Sequence, residues 1–374
     1  MKKIIFTVVF VVICTMSFSQ NANFIITGSS LKIINSGGVK LLLDNTNFEN
    51  NASDSSIQGQ SEFIITGINS TTMGGSFSNN FQNLQINKSG SAVMLSHHLN
   101  VSNLLTLTSG NIDIGSNDLN LGTANLVGGS DNSYVKTSGT GVLKRHLITG
   151  DQAFPVGNAT YNPAILTNNS STSSDTFNVR VTDNVTLDGT GLGITLQHPF
   201  VNRSWSVGAT KLDENNNVTL RLHWEEEHEI NGFNKANSFM VRHDGKNWEK
   251  LGGVLASTFD NNSHTVTDIN HFSTFSISSH PLFISNVLHR INKIYPNPVI
   301  SNLTIEIASK LEENANLKIY TINGSFIVEN IIQLRIGLNT IQMNNLSHLQ
   351  EGIYIICVET NQQVYSKIFI KIPS

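Results

Sequence analysis

Apolar and polar residues alternate with a period of two over most of the chain, in short stretches. Three apolar pairs recur at a spacing of seven residues: Leu105 and Leu107, Ile112 and Ile114, Leu119 and Leu121. The residues between the pairs are Thr, Ser, Gly, Asn and Asp, which are poor helix formers, so the period does not indicate a coiled coil. We interpret each pair as a short strand followed by a corner, and three such units as one coil of about twenty residues in a β-solenoid.

The N-terminal region also repeats on a larger scale. The segment Phe24-Ile25-Ile26-Thr27-Gly28 recurs 39 residues later as Phe63-Ile64-Ile65-Thr66-Gly67. We take this spacing as about two coils. One coil cannot bury its inner face alone, so stacking must supply the core. Residues 20–130 are therefore predicted to form a β-helix-like repeat region, with a β-sandwich of short hairpins as the alternative.

The pattern changes after residue 130, where the strands become longer and all three tryptophans occur. Alternation from Val218 to Trp224, bounded by turn signals, predicts a central antiparallel β-sandwich over residues 131–280. Trp224 shares the apolar face of that strand and is expected to be buried. Trp205 and Trp248 are candidate contacts for sugar rings, although tryptophan is also common in protein cores.

The last quarter of the chain again alternates with a period of two. On the strand near residue 355, Ile353, Ile355 and Cys357 are expected on the buried face, which makes Cys357 a small core residue. Such alternation predicts strands with one buried and one wetter face. An all-β fold is therefore predicted from end to end.

Turn and proline signals divide this last region. Asn323-Gly324 predicts a hairpin closed by a two-residue type I′ turn, in which both residues need positive φ. Pro296 and Pro298 predict an extended linker that enters an edge strand, because proline cannot donate to a strand pairing.

The motifs of this region are spread over about eighty positions: Tyr295, Pro296, Asn297, Pro298, Gly324, Gly352, Tyr354, Lys367 and Lys371. Together they resemble the type A C-terminal sorting domain of the type IX (Por) secretion system, which moves proteins across the outer membrane of Gram-negative bacteria. The resemblance implies an Ig-like β-sandwich over residues 290–374, recognition by the secretion machinery and removal by its sortase. It also implies a secreted or outer-membrane-surface location, reached through the periplasm.

The N-terminus carries a predicted secretory signal over residues 1–19. Lys2 and Lys3 precede an apolar run that ends at Cys14, and a stretch of small residues follows as a cleavage site. The run is shorter than the roughly 20 apolar residues that a transmembrane helix requires, so no transmembrane anchor is expected. Residues 281–289 are predicted to be a linker that precedes the sorting domain.

Composition narrows the classes of function. Charged residues make up 13% of the chain, and removing Lys2 and Lys3 from 23 basic residues leaves 21 against 27 acidic ones, a net charge of −6. A mildly acidic chain with dispersed lysines lacks the basic surface of a nucleic-acid-binding protein. Cys357 is the only cysteine left once the signal is removed, so no internal disulfide is expected.

No catalytic residue, cofactor or metal site is predicted. Residues 20–130 contain no arginine, and Asp113 and Asp118 are not obviously on one face, so the base and carboxylates of a polysaccharide lyase are not evident. His223 and the run Glu225–Glu229 bring ligand-type side chains together, but without the spacing of a zinc protease they are interpreted as a solvated acidic loop. The segment 213–217 is interpreted as a hairpin tip, with calcium binding as the alternative.

These observations favour a non-enzymatic structural or adhesin-like protein that is exported by the type IX secretion system. Its partners would be the secretion machinery and its sortase, and surface glycans or lipopolysaccharide. The alternative is an extracellular carbohydrate-active enzyme, a polysaccharide lyase or hydrolase, on the β-helix scaffold.

Overall fold

The fold is known from a computed structural model, which describes most of the chain. The described residues are 21–28, 33–35, 39–55, 57–59, 62–147, 150–169, 174–186, 188–191, 193, 195–196, 199–211, 217–245, 247–251, 254–257, 262–279, 289–309, 312–335, 337–360 and 364–373. The predicted signal over 1–19, most of the predicted linker and the tip at 213–216 lie outside them. Within the described part there is no α-helix, and no helix has the length and apolar character needed to span a bilayer.

Parallel strands build the N-terminal half. They are β1 (Ala22–Thr27), β2 (Ile33–Asn35), β3 (Lys40–Asp44), β4 (Thr46–Asn51), β5 (Ile57–Gly59), β6 (Glu62–Gly67), β7 (Thr71–Gly75), β8 (Asn79–Lys88), β9 (Val93–Leu95), β10 (Leu99–Ser109), β11 (Ile112–Asp113), β12 (Leu119–Asn120), β13 (Asn125–Gly128), β14 (Val135–Lys136) and β15 (Leu143–Leu147). One parallel sheet runs β1-β4-β7-β9-β11-β14, a second runs β3-β6-β8-β10-β12-β15, and β2 pairs with β5.

This arrangement confirms the predicted β-solenoid. Leu99 pairs in parallel with Leu119, one coil further along the chain. The three apolar pairs that repeat every seven residues lie on β10 and at β11 and β12, with every member at most 3% exposed. Gly115 and Gly122 turn the corners at φ of 53° and 50°, a region that favours glycine.

The repeat of 39 residues does not correspond to two coils. Phe24 lies on β1 and pairs with Phe48, whereas Phe63 lies on β6 in the other sheet and pairs with Leu41. The two copies of the motif therefore occupy different sides of adjacent coils. In both copies the phenylalanine points inward, and the ring of Phe48 lies between the two. The Phe48 centroid is 5.6 Å from that of Phe24 and 5.9 Å from that of Phe63.

Antiparallel pairing begins where β15 meets β19. The strands that follow β15 are β16 (Gly150–Phe154), β17 (Val156–Gly157), β18 (Ala164–Asn168), β19 (Asp175–Thr182), β20 (Phe200–Val201), β21 (Ser204–Ala209), β22 (Val218–His223), β23 (Glu229–Ile230), β24 (Phe239–His243), β25 (Trp248–Lys250), β26 (Val254–Ser257), β27 (Ser263–Ile269) and β28 (Thr274–Ser278). The sheet of β15 continues through β19, β21, β28, β20 and β23, and a second sheet runs β16-β18-β22-β27-β26.

The two sheets form the predicted antiparallel sandwich. Val218, Leu220, Leu222 and Trp224 are each at most 1% exposed, which confirms that Trp224 shares their buried face. Parallel pairing continues past residue 130 to β17, and one core cluster draws its members from both sides of that residue, from Ile26 to Ile277. The predicted regions on either side of residue 130 thus share a core, and the boundary between them stays a prediction.

The C-terminal region forms two further sheets. Its strands are β29 (His289–Tyr295), β30 (Leu303–Ser309), β31 (Glu313–Thr321), β32 (Phe326–Leu334), β33 (Gly337–Met343), β34 (Gly352–Glu359) and β35 (Val364–Lys371). The sheet β29-β30-β33 and the sheet β32-β31-β34-β35 enclose a second core cluster, which extends from Ile291 to Phe369. Short 3₁₀ turns occur at Glu226–His228, Lys235–Asn237 and Leu346–His348.

The buried face of β34 is the opposite of the predicted one. Tyr354, Ile356 and Val358 point into the core, while Ile353 is 46% exposed and the thiol of Cys357 is free and only partly buried. Both sets of alternating residues are apolar, so the period alone could not choose between the faces.

Two local expectations for this region are also corrected. The hairpin at Asn323-Gly324 exists, but only Gly324 has positive φ (82°), and its N–H donates to the Thr321 carbonyl at 2.9 Å. A type I turn followed by one left-handed residue fits these observations, and the register shift beside Tyr320 is the bulge that this turn produces. Pro296 and Pro298 do not lead into the domain, because β29 precedes them and already pairs with β30.

Candidate functional site

The last strand, β35, is the element around which most of the predicted motif residues gather. Asn297 lies beside it: its Oδ1 accepts from the Ile370 N–H at 2.9 Å and its Nδ2 donates to the Ile368 carbonyl at 3.4 Å. The N–H of Val299, which is fully buried, donates to the Ile370 carbonyl at 2.7 Å. The Tyr295–Pro298 segment is therefore held along the edge of β35.

Apart from Gly324, the remaining motif residues contact the same strand or belong to it. Gly352 pairs with Lys371. The ring of Tyr354 stacks on that of Phe369, with centroids 5.5 Å apart, and its hydroxyl donates to the Gln350 carbonyl at 2.9 Å. The Nζ of Lys367 reaches back to the Asn292 carbonyl at 2.9 Å, which ties β35 to β29. Gly324 lies in the turn after Thr321, and Thr321 pairs with Tyr354.

Exposure divides the motif into two groups. Tyr354 and Lys371 are 6% and 3% exposed and act as internal supports. The exposed members are Tyr295, Pro296, Asn297, Pro298, Gly324, Gly352 and Lys367. The segment Tyr295–Pro298 and the neighbouring Lys367 form what we call the motif surface. It is the solvent-exposed part of the motif that lies along or on β35, and the buried members pack beneath it on β34 and β35.

Burial of both tryptophans contradicts the prediction that they contact glycans. Trp205 is 0% and Trp248 is 1% exposed. The indole N–H of Trp205 donates to the Asn162 carbonyl and that of Trp248 to the Thr186 carbonyl, both at 2.9 Å. A buried indole needs such a partner, so both rings are core residues and neither has a face open to a sugar.

A row of asparagines on the outer face of the solenoid was not predicted. The Nδ2 of Asn100 donates to Asn80 Oδ1 at 2.6 Å, and the Nδ2 of Asn120 donates to Asn100 Oδ1 at 3.3 Å. A second row joins Asn103 to Asn83 at 2.6 Å. The sequence signal for both rows is the recurrence of asparagine every 20 residues, which is the length of these coils.

A shallow depression of about 320 Å³ lies beside the first row. We call it the amide depression, and its lining residues are Ile57, Gln58, Gly59, Asn80, Phe81, Gln82, Asn100 and Ser102. Gln82 Oε1 is buried and has no hydrogen-bond partner among the described residues. Amide side chains offer both donors and acceptors, so the amide depression can accept hydrogen bonds from hydroxyl groups and also donate to them.

A second concavity, of about 410 Å³, lies where the solenoid meets the sandwich. We call it the carboxylate cleft, and its lining residues are Asp131, Tyr134, Ala159, Thr160, Tyr161, Glu225, Glu226 and Glu227. The rings of Tyr134 and Tyr161 are 5.7 Å apart at their centroids. Burial raises the pKa of Tyr161 to about 12, and burial together with the charges of Asp131 and Glu227 raises the pKa of Glu225.

A buried polar network supports the floor of this cleft. The Glu225 N–H donates to His228 Nδ1 at 3.3 Å, so the neutral ring carries its proton on Nε2, 3.0 Å from Thr160 Oγ1. Burial and the charge of Arg203 lower the pKa of His228 to about 4. The Arg203 guanidinium donates to Thr160 Oγ1 at 3.1 Å and to Asn162 Oδ1 at 2.9 Å, so it fixes the position of Thr160 in the wall of the cleft.

The other candidate ligand residues do not converge. Asp113 lies 3.5 Å from Lys136, and Asp118 lies 2.7 Å from Lys144, so both carboxylates link neighbouring coils. Glu229 accepts from the Trp224 indole at 2.9 Å and pairs with a lysine. Within the described part of the chain, no group of three or more His, Cys, Asp or Glu side chains is placed to hold a metal ion.

Comparison with known proteins assigns one part of the chain. The family described as the secretion system C-terminal sorting domain matches residues 293–372. No curated protein and no solved structure matches the chain. The matched residues contain all nine motif positions and both C-terminal sheets except the first residues of β29. Residues 293–372 are therefore a type IX secretion C-terminal sorting domain, and the protein that carries it is exported to the outside or the surface of the cell.

Proposed function

We propose that this protein is a non-enzymatic, adhesin-like surface protein that binds glycans through its solenoid. A signal over residues 1–19 would direct it to the periplasm of a Gram-negative bacterium. The motif surface would then be recognised by the secretion machinery, and its sortase would remove the sorting domain. The observation that carries the binding role is the presence of two outward asparagine rows, the first of which lines the amide depression.

Several features of this face support glycan binding. A sugar presents hydroxyls that both donate and accept, and amides match both needs. Each row runs from coil to coil along the solenoid, so a chain of sugars lying along a row would meet the same amide group repeatedly. Gln82 Oε1 adds a buried acceptor that lacks a protein partner among the described residues. Neither donating a hydrogen bond to a sugar hydroxyl nor accepting one from it requires a titrating group. This fits the low share of charged residues in the chain, 13%.

A glycan array and a cell-binding assay on residues 20–374 test this proposal. We expect retention of the unchanged protein and about tenfold weaker retention of Gln82→Ala or Asn100→Ala, because each removes about one ligand hydrogen bond. Asn87→Ala is the matched control: Asn87 is an exposed amide on the same strand, β8, outside the amide depression. Failure of the unchanged protein to bind any glycan or cell surface would contradict the proposal.

The carboxylate cleft favours a second candidate, a carbohydrate-active enzyme. A raised pKa keeps a carboxylic acid protonated up to a higher pH, as a general acid requires. Glycoside hydrolysis also uses a second carboxylate nearby. Glu225 has that raised pKa, and Asp131 and Glu227 lie in the same cleft. The same glycans, analysed for released products, discriminate the two candidates. Product release that Glu225→Gln abolishes would favour the enzyme.

A further inference from the structure

The N-terminal end of the solenoid is an open edge. β1, β2 and β3 make up the first coil, and each is the terminal strand of its sheet, paired on one side only with β4, β5 and β6. Among the described residues, no strand pairs with their other side. An unpaired strand edge presents N–H and C=O groups that readily pair with another chain. The first coil therefore has the form of a docking surface for a strand.

In the sheet that contains β3, the opposite end of the solenoid is closed. β15 pairs with β19, and this pairing is antiparallel and joins the coils to the sandwich. A second copy consequently cannot continue the stack head to tail from that end. Among the described residues, the end-to-end contact open to the sheet of β3 is therefore first coil against first coil, which has twofold symmetry. Such a contact uses the same surface on both copies and gives a closed dimer instead of a fibre.

The sequence of β3 is self-complementary for this contact. It reads Lys40-Leu41-Leu42-Leu43-Asp44. In an antiparallel pair centred on Leu42, Lys40 lies opposite Asp44 of the second copy, and Leu41 lies opposite its Leu43. Residues that are directly opposite share a face of the sheet. Lys40 and Asp44 of each copy therefore face an opposite charge on the outer face of the sheet. Leu41 and Leu43 face each other on the inner face.

Exposure on β3 agrees with this pairing. Leu43 is 4% exposed and faces the core, whereas Leu42 is 59% exposed and the Lys40 side chain 64% exposed, on the outer face. Phe24 and Leu41 are only partly buried, although they pack against the core cluster from within the first coil. A second copy would cover the open side of both residues.

We propose that the first coil mediates a twofold homodimer in which β3 pairs antiparallel with β3 of a second copy, centred on Leu42. The Lys40–Asp44 cross-pairs then occur twice per dimer. The interface adds one continuous strand pairing across the two solenoids, and none of the β3 residues belongs to the asparagine rows or the motif surface.

Charge exchange tests the proposal on the chain from residue 20 to 374, with molar mass measured by light scattering over a dilution series. The unchanged chain should dimerise. Lys40→Glu alone and Asp44→Lys alone should each weaken dimerisation roughly ten- to a hundredfold, because two attractive cross-pairs become two like-charge pairs. The two variants mixed together should dimerise as a heterodimer, since every cross-pair is then attractive.

The double variant Lys40→Glu/Asp44→Lys is the matched control. It contains both substitutions, loses the 2.9 Å pair between Lys40 and Glu62, and should still dimerise because its cross-pairs are restored. Rescue by mixing also shows that each single variant is folded. A monomeric unchanged chain at every concentration, or a dimer that none of these substitutions affects, would overturn the proposal.

Discussion

Two buried histidines make the stability of this protein depend on pH. Burial lowers the pKa of His228 and of His264 from 6.5 to about 4. Between these values the unfolded chain binds protons that the folded chain does not, so acidification favours unfolding. The contribution of neutral histidine is present in full above pH 6.5 and is lost as pH falls towards 4. We expect the free energy of unfolding to decrease by about 1.4 kcal/mol per pH unit for each histidine in that window.

Denaturant unfolding followed by tryptophan fluorescence measures this effect, because all three tryptophans lie in the same sandwich as these histidines. The variant His264→Gln should flatten the slope between pH 4.5 and 6.5 by about one proton. Measurements at pH 7.5 and 8.5 serve as the control, since neither histidine changes its charge there. A sandwich that becomes more stable on acidification would contradict the argument.

The role of each tryptophan could be predicted only where the residue belonged to a regular pattern. Trp224 continues the alternation of Val218, Leu220 and Leu222, and its burial followed from that period. Trp205 donates to Asn162, 43 residues away, and Trp248 donates to Thr186, 62 residues away. Such distant partners exist only once the sheets have assembled, so the sequence left a sugar contact and a core position equally open.

At the scale of the element, the turn between β31 and β32 makes a sharp prediction. Gly324 has a φ of 82°, whereas Asn323 does not have positive φ. A Cβ atom at position 324 would have no neighbouring atom within 4 Å. The left-handed backbone conformation still costs any residue with a Cβ about 1–2 kcal/mol. Gly324→Ala should therefore destabilise the hairpin by about that amount, and Asn323→Ala should change it by less than about 0.5 kcal/mol.

Hydrogen exchange of the amides in β31 and β32 measures the local stability of this hairpin. The two alanine variants differ by one position in the same exposed turn, so each is the control for the other. A type I′ turn would make both substitutions costly, and equal losses of protection would show that the turn has that form.

Periodicity predicted the elements better than their placement. Leu105, Ile112 and Leu119 revealed strands and corners every seven residues, because the inward residues of a solenoid recur in the sequence. The same logic failed for Phe24 and Phe63, since a repeated motif does not show which side of the coil it occupies. On β34 it failed because both faces are apolar, and the stacking of Tyr354 on Phe369 selects the buried one.

At the scale of the whole molecule, the chain has two large cores with separate memberships. One cluster draws its residues from Ile26 to Ile277, and the other draws its residues from Ile291 to Phe369. Each is enclosed by its own sheets, and no sheet combines described strands from both regions. The matched sorting domain contains every residue of the second core cluster except Ile291. This separation is what a detachable export signal requires, because its removal leaves the packing of the upstream core unchanged.

Removal and transfer of residues 290–374 test the export role. A chain that ends at residue 289 should keep its upstream fold, because no residue of the first core cluster is removed. It should nevertheless accumulate in the periplasm. Residues 290–374 joined to an unrelated periplasmic protein should carry that protein out of the cell. Cell fractionation locates both chains, and tryptophan fluorescence reports the upstream fold, since Trp205, Trp224 and Trp248 all remain in the shortened chain. A shortened chain that still appears outside the cell would show that export depends on residues upstream of the sorting domain.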